Sequence, residues 1–514
     1  MSDQPDVNGE LPQLRALDPA TAARTPSGQP PSPTLYIPNR LLVTGFPANT
    51  RDMRLSALGA ALEPLDLTYR LTARSSRRIE RLRGTRGLQR EILDEIWVSS
   101  VVLETRTAGA AAPDAWSVLQ QLRQSAPRVA DTLSLEHVVR PAGYWGGIPY
   151  WGGIPYWGGI PYWGGVPYWG GIGSNGLNEY LVPGRGGRMP VSVVLEDPAK
   201  RARSVPRSPV VAVLDTVVAD HPWFRDKKRV LRLAVSDGEL VPDPDGTAVA
   251  PTPTNLLTGE APPVLGHGTF IAGLIRQGCP EATILTIPVM NDEGVAEEGD
   301  VLAALTALLS RHVAGQQKNR AGDCVDVVSL SLGYYAEDAS YLSGPVKQVL
   351  DRFAAHGVLV VAGVGNDGCD LPFVPAALAK RPPARLTAKS QPPLASVGAH
   401  NPDGSSIALF SNELPVVSAY RAGVSVVSTY PQINGAGGPS TVTGPTGQRR
   451  TVDPDDYSQG FAAWSGTSFA TPVLAAQLAA QLIESGDDLT DVSAPAMNRR
   501  AVRALKECLK GDRP

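Results

Sequence analysis

The sequence predicts an α/β protein: an open parallel sheet flanked by helices over residues 205–514, preceded by a small α+β domain over residues 36–140. Three observations lead there. In the C-terminal part, short runs that are apolar almost throughout alternate with capped stretches of helical length, the pattern of strands covered on both faces. Upstream, strands and helices follow in the order βαββαβ, that of the split, ferredoxin-like unit. Between the two lies a Gly- and Pro-rich segment that reads as no folded domain.

Residues 1–35 are rich in Pro, Ser, Thr and Ala without apolar periodicity, and are expected to be a disordered leader. The domain after them is expected to begin with a strand over Arg40–Thr44 and a helix over Asp52–Leu62. Strands follow over Leu65–Leu71 and Ile96–Glu104, then a helix over Asp114–Arg123 and a last strand over Leu133–Val139. RNA-recognition modules share this order, but their stacking aromatics belong on the third strand, and Val98–Leu103 has none.

Residues 141–204 are read as a linker built around a Tyr-Trp-Gly-Gly-Ile-Pro repeat of period six, with Trp at 145, 151, 157, 163 and 169. A strand repeats its facing every two residues and polyproline II every three, so either conformation sets every Trp on one side. Such a ladder suits docking to a partner; the plainer reading is an expanded linker whose rings fold back onto their neighbours. From residue 205 onward, strands are expected over Val210–Leu214, Ala282–Ile287, Val325–Leu330, Val358–Ala362 and Leu394–Gly398. Helices fit over Asp300–Leu309 and Gly344–Phe353.

Composition narrows the function classes. A chain of 514 residues has length for two or three folded units. Lys plus Arg number 47 against 50 for Asp plus Glu, so no basic field exists to hold nucleic acid, and none is expected as a partner. The N-terminus has neither a basic start nor an apolar run, and no stretch approaches the roughly 20 apolar residues of a membrane helix. A cytoplasmic location is therefore the expectation. Cys279, Cys324, Cys369 and Cys508 are too scattered for a disulfide framework or a metal site and read as free thiols. The acidic pairs Asp292–Glu293 and Glu297–Glu298, with Asp300, offer oxygens of the kind calcium takes, but solvated loops are the plainer reading and no cofactor is expected.

Three distant segments carry the chemistry. Asp215 closes the apolar strand Val210–Leu214, where a carboxylate is costly unless a partner faces it. His267 stands between Gly266 and Gly268 ahead of an apolar helix, with small flanks that let backbone pass close and leave the imidazole reachable. Ser468 opens another apolar helix in Gly-Thr-Ser468-Phe-Ala-Thr-Pro, where unpaired amides and the helix dipole favour a developing anion. A hydroxyl is a poor nucleophile until an imidazole takes its proton, and the imidazole needs a carboxylate to fix its tautomer. Alone, each residue has a bland reading as a turn, core or cap residue. His221 competes as a base but is expected to be structural.

In the order Asp, His, Ser, and in these motifs, the chain resembles the subtilase family of serine proteases over roughly residues 205–485. One departure stands out: the family usually has Gly two residues after the aspartate, and this chain has Val217. The resemblance implies a subtilisin-like fold and a serine endopeptidase working through an acyl-enzyme, with Asn366 in Gly-Val-Gly-Asn366-Asp-Gly as oxyanion donor. It also implies that Ser331, Leu332 and Gly333 pair with the backbone of a peptide or protein substrate. The 36–140 unit resembles the propeptides that often precede such domains; a permanent accessory domain is the other reading. On the propeptide reading, self-cleavage is expected near Arg201–Arg207. The competing function is a protease-fold scaffold that binds a partner through the 36–140 unit and the aromatic repeat.

Overall fold

A computed structural model describes residues 13–47, 53–142, 188–191, 194–226, 228–246, 254–257, 259, 261–380, 391–434, 441–450 and 456–510. The Trp-bearing repeat lies outside them. In the N-terminal unit, β1 (Leu35–Thr44), α1 (Met53–Leu62), β2 (Leu67–Leu71), α2 (Ala73–Leu82), α3 (Leu88–Ile96), β3 (Val98–Thr105), α4 (Ala115–Ser125) and β4 (Leu133–Pro141) follow in turn. The strands lie in the order β4–β1–β3–β2 with every neighbour antiparallel, so each crossover skips one strand. Their apolar face and the helices α1 and α4 close a core around Leu41, Leu58, Val101, Trp116, Leu119 and Leu135.

Two features of this unit depart from the sequence reading. Helices α2 and α3 fill a stretch where no element was expected. Helix α2 carries Arg74, Arg77, Arg78 and Arg81, and only Ile79 and Leu82 reach the small cluster with Phe46, Leu93 and Trp97. Its apolar stripe is too narrow to stand out in a sequence. Residues 13–34, expected in a disordered leader, are packed: Arg15–Ala16 pairs with Leu35–Tyr36, Leu17 is buried, and the Trp116 indole donates to the Ala23 carbonyl at 2.8 Å. The cause is a large ring that offers both apolar surface and a donor at the domain edge.

The C-terminal unit contains β5 (Val210–Asp215), β6 (Val230–Ser236), α5 (His267–Gly278), β7 (Thr283–Pro288), α6 (Glu298–Gln317), β8 (Val327–Leu330), β9 (Leu332–Tyr335), α7 (Pro345–Ala355), β10 (Leu359–Gly363), β11 (Ala395–His400), β12 (Ala419–Ala422), α8 (Thr467–Glu484) and α9 (Ala494–Cys508). Seven strands run parallel in the order β12–β11–β10–β8–β5–β7–β6, with Glu239–Pro242 antiparallel on the β6 edge. This is the α/β fold that the apolar runs predict. Val211 and Val213 of β5 enter the core shared with α5 and α8, while Val210, Ala212 and Leu214 enter the one shared with α6 and α7. A strand buried on both faces has no polar side to show, hence its unbroken apolar run.

The two units are joined through β4 and through charge. Val138 and Val139 pair with Glu297 and Ala296, and further along Arg140 and Pro141 pair antiparallel with Gly333 and Leu332 of β9. The β4 strand therefore runs past residue 140, where the domain boundary was expected. Glu297 holds Arg40 at 2.6 Å, Asp300 holds Arg74 and Arg78, and Glu298 is buried against His137. These carboxylates, expected in solvated loops, thus hold the N-terminal unit. Among the described residues no cluster of three or more His, Cys, Asp and Glu groups is placed to hold a metal, and no helix is long and apolar enough to cross a membrane.

Candidate active site

The site lies at the carboxyl ends of the parallel strands, where open α/β sheets bind their ligands. Asp215 is the last residue of β5 and is buried, its Oδ1 accepting the Thr216 amide at 2.7 Å. His267, the first residue of α5, brings Nδ1 to 2.7 Å from the same Oδ1. Two glycines permit this approach. Gly266 adopts φ 77°, and a Cβ on Gly268 would stand 2.4 Å from the Thr216 carbonyl oxygen, so only glycine lets the helix start meet the strand exit. The imidazole is edge-on to Trp464 at 5.5 Å and tilted against Phe469 at 5.3 Å. Its Nε2 has no partner among the described residues.

Ser468, in the first turn of α8, is fully buried. Its Oγ donates to the Ser331 carbonyl at 3.1 Å and not to His267. The return contact explains the motif's proline. Pro472 has no amide hydrogen for the Ser468 carbonyl four residues back, and the Ser331 Oγ supplies the missing donor at 2.8 Å. Asn366 follows β10 through Val364 and Gly365; its Oδ1 accepts the Thr467 amide at 2.8 Å, while its Nδ2 is buried without a partner among the described residues. One amide oxygen is thus tied down, and the amide's donor side stays free.

The cleft is filled by the chain's own backbone. Beyond the Arg140 and Pro141 pairing, the Ala142 amide donates to the Ser331 carbonyl at 2.7 Å. The Ala142 carbonyl accepts Thr467 Oγ1 at 3.2 Å, one residue from Ser468. Strand addition of this kind is how an extended peptide is read by its backbone. Ser331, Leu332 and Gly333 therefore border a bound peptide segment in this structure. Sequence reasoning missed both Thr467 and Ala142; the threonine stands inside the quoted motif, whereas nothing in the sequence marks the alanine.

His221 is occupied elsewhere. Its Nε2 donates to the Gly460 carbonyl at 3.0 Å, its Nδ1 accepts the Trp223 amide, and burial pushes its pKa down to about 4. It is a neutral structural residue, as expected. None of the four cysteines is in a disulfide, and burial raises the Cys369 thiol to about 11. The Arg201–Arg207 stretch, where self-cleavage is expected, is exposed at Arg201, Arg203, Ser204 and Pro206 and is tied down at two points. The Arg203 amide and guanidinium both bond Glu281, and the buried Arg207 pairs with Asp326 at 2.8 Å. Buried carboxylates beside this segment hold it down, which a run of Arg and Pro alone does not reveal.

A sequence profile of the subtilase family matches residues 207–507. The alkaline elastase YaB of Bacillus sp. (strain YaB) is 27% identical over 274 residues, 52% of this chain and 52% of its own length. The chain thus spans about half the length of that elastase. Among solved structures, fervidolysin from Fervidobacterium pennivorans, described as a keratinolytic enzyme related to subtilisin, is 16% identical, covering 88% of this chain and 56% of its own, with a TM-score of 0.45. The prenylagaramide maturation protease PagA is 20% identical, covering 58% of this chain and 94% of its own, with a TM-score of 0.33.

Proposed function

The chain belongs to the subtilase family, and from that premise we propose that it is a serine endopeptidase whose N-terminal unit restrains it in cis. The observation that carries this reading is the Ala142 backbone in the cleft, with its amide on Ser331 and its carbonyl at Thr467. In the proposed reaction, the Ser468 Oγ attacks a carbonyl in the position of Ala142 while His267 Nε2 takes the hydroxyl proton. Asp215 fixes the imidazole tautomer through Nδ1 and stabilises its cationic form. The charge that develops on the carbonyl oxygen is held by the free Asn366 Nδ2, with the Ser468 amide and Thr467 Oγ1 beside it. The C–N bond breaks as His267 returns the proton to the leaving amine, and water, activated by the same imidazole, releases the acyl group from Ser468.

The short β4–β9 pairing supports a substrate-like strand and not a chance contact, since it continues the sheet of the N-terminal unit straight into the cleft. The first bond cut would then be Ala142–Gly143, which replaces the Arg201–Arg207 expectation. Intact mass tests this. The native chain should yield a fragment ending at Ala142, and Ser468→Ala should stay whole. A Ser468→Ala protein cut at the same bond would overturn the assignment.

A further inference from the structure

The slot beside Ala142 is walled by glycine on two sides. Gly333 lies on the strand that pairs with Arg140, and Gly365 leads into Asn366. The space that their missing side chains leave is already taken. A Cβ on Gly333 would stand 2.6 and 2.9 Å from the Phe373 ring, and one on Gly365 would stand 3.2 Å from it. Phe373 is held there from below: its backbone pairs with Tyr335, the two rings meet at 5.1 Å and 63°, and it is only 4% exposed. Ala142 and Phe373 share one apolar cluster with Leu35, Ile37, Val138 and Tyr335. The Ala142 methyl also stands 3.0 Å from where a Cβ on Gly363 would be. With the N-terminal unit seated, a cavity of about 40 Å³ is left among Leu35, Val138, Ala142, Gly333, Asn366 and Phe373, enough for a few water-sized groups.

We propose that Phe373 sets the size limit of the substrate residue before the cleaved bond, so that small side chains such as Gly, Ala and Ser are accepted and aromatic or long ones refused. This rests on the endopeptidase reading above. The physical cause is steric. A close-packed slot does not stretch to take an added ring, and the ring of Phe373 is wedged between backbone on both sides.

Peptide p-nitroanilides identical except for the last residue (Ala, Val, Leu or Phe) test it on the full chain after self-processing. The native protein should favour Ala over Phe by about a hundred-fold in kcat/KM, the scale on which pockets discriminate by size. Phe373→Gly should reduce that ratio at least ten-fold by raising turnover of the Phe peptide. Phe373→Leu, which keeps most of the packing, should shift it partway and covers the case in which the glycine variant fails to fold. In cis, Ala142→Phe should block self-cleavage, and the Phe373→Gly change added to it should restore the cut. Native protein that takes Phe as readily as Ala, or a Phe373→Leu preference identical to the native one while the Ala peptide is still turned over, would overturn the proposal and leave the endopeptidase reading intact. Absence of any Ser468-dependent turnover would overturn both.

Discussion

The cleft and the clasp that covers it are built from opposite materials. Around Asp215, His267 and Ser468 the neighbours are apolar rings and glycines, and each polar atom is aimed by backbone: a strand end, a helix start, a proline that frees one carbonyl. Between the two units, long flexible side chains meet in pairs, Arg40 with Glu297, Arg81 with Glu239 and Arg123 with Asp338. The first construction fixes atoms to within fractions of an ångström. The second tolerates movement and can be undone by salt, pH or cleavage. On the proposed reading of an enzyme restrained in cis, both kinds are needed, one that does not yield and one that can.

The largest effect should come from within the cleft. On the proposed reaction, Ser468→Ala or His267→Ala should each remove about a million-fold in rate, because the members of such a triad act as a unit. Asn366→Ala should cost about a hundred- to a thousand-fold, the usual loss for one oxyanion donor. Steady-state rates on a small peptide distinguish the two, and comparable losses in all three variants would mean that Asn366 acts by holding the Thr467 amide and with it the helix start.

The same contrast decides what the sequence shows. Asp215, His267 and Ser468 are legible because each needs a particular local backbone, and that need is written beside it: a five-residue apolar run, flanking glycines, a proline four residues on. The doubly covered strands are legible for the same reason, since both faces demand apolar side chains. The clasp is not. Arg74 and Arg78 meet Asp300 across more than two hundred residues, and nothing near Asp300 distinguishes it from a solvated acid. Helix α2 escaped notice because its buried stripe is two residues wide. Residues 13–34 escaped because a few anchors, Leu17 and the Trp116–Ala23 bond among them, hold an otherwise irregular segment.

Breaking the clasp should leave the cleft chemistry untouched. Asp300→Ala strips both Arg74 and Arg78 of their acceptor and should weaken docking of the N-terminal unit by about 1.5–3 kcal/mol, the range for hydrogen bonds to charged groups. Raised activity before processing, with an unchanged rate after it, is the expected pattern. Loss of activity after processing would mean that Asp300 also shapes the catalytic unit.

The last effect is the one that pH should reveal. His137 of β4 is buried between two carboxylates of the catalytic unit, with Nδ1 at 2.5 Å from Glu298 and Nε2 at 2.8 Å from Glu337, and its ring stacks on Tyr334 at 4.0 Å. Burial alone would lower its pKa; Glu337 and Glu298 outweigh burial and push it up to about 10. A released strand would return it to about 6.5. The docked form thus binds the proton more tightly, so this contribution to docking is complete below pH about 6.5 and is lost as pH rises toward 10. Glu136 acts in the same direction, since burial and the nearby Glu297 raise it to about 8. Hydrogen exchange of the Glu136–Ala142 amides in the uncut Ser468→Ala chain should therefore quicken between pH 6.5 and 10, once the intrinsic base dependence is divided out. His137→Gln keeps a donor for one glutamate but no titration, so it should exchange faster than the parent at pH 6.5 and nearly alike at pH 10. A parent chain whose corrected exchange stays flat across that window would show that the clasp holds through its other ion pairs, with His137 contributing packing against Tyr334 and no charge.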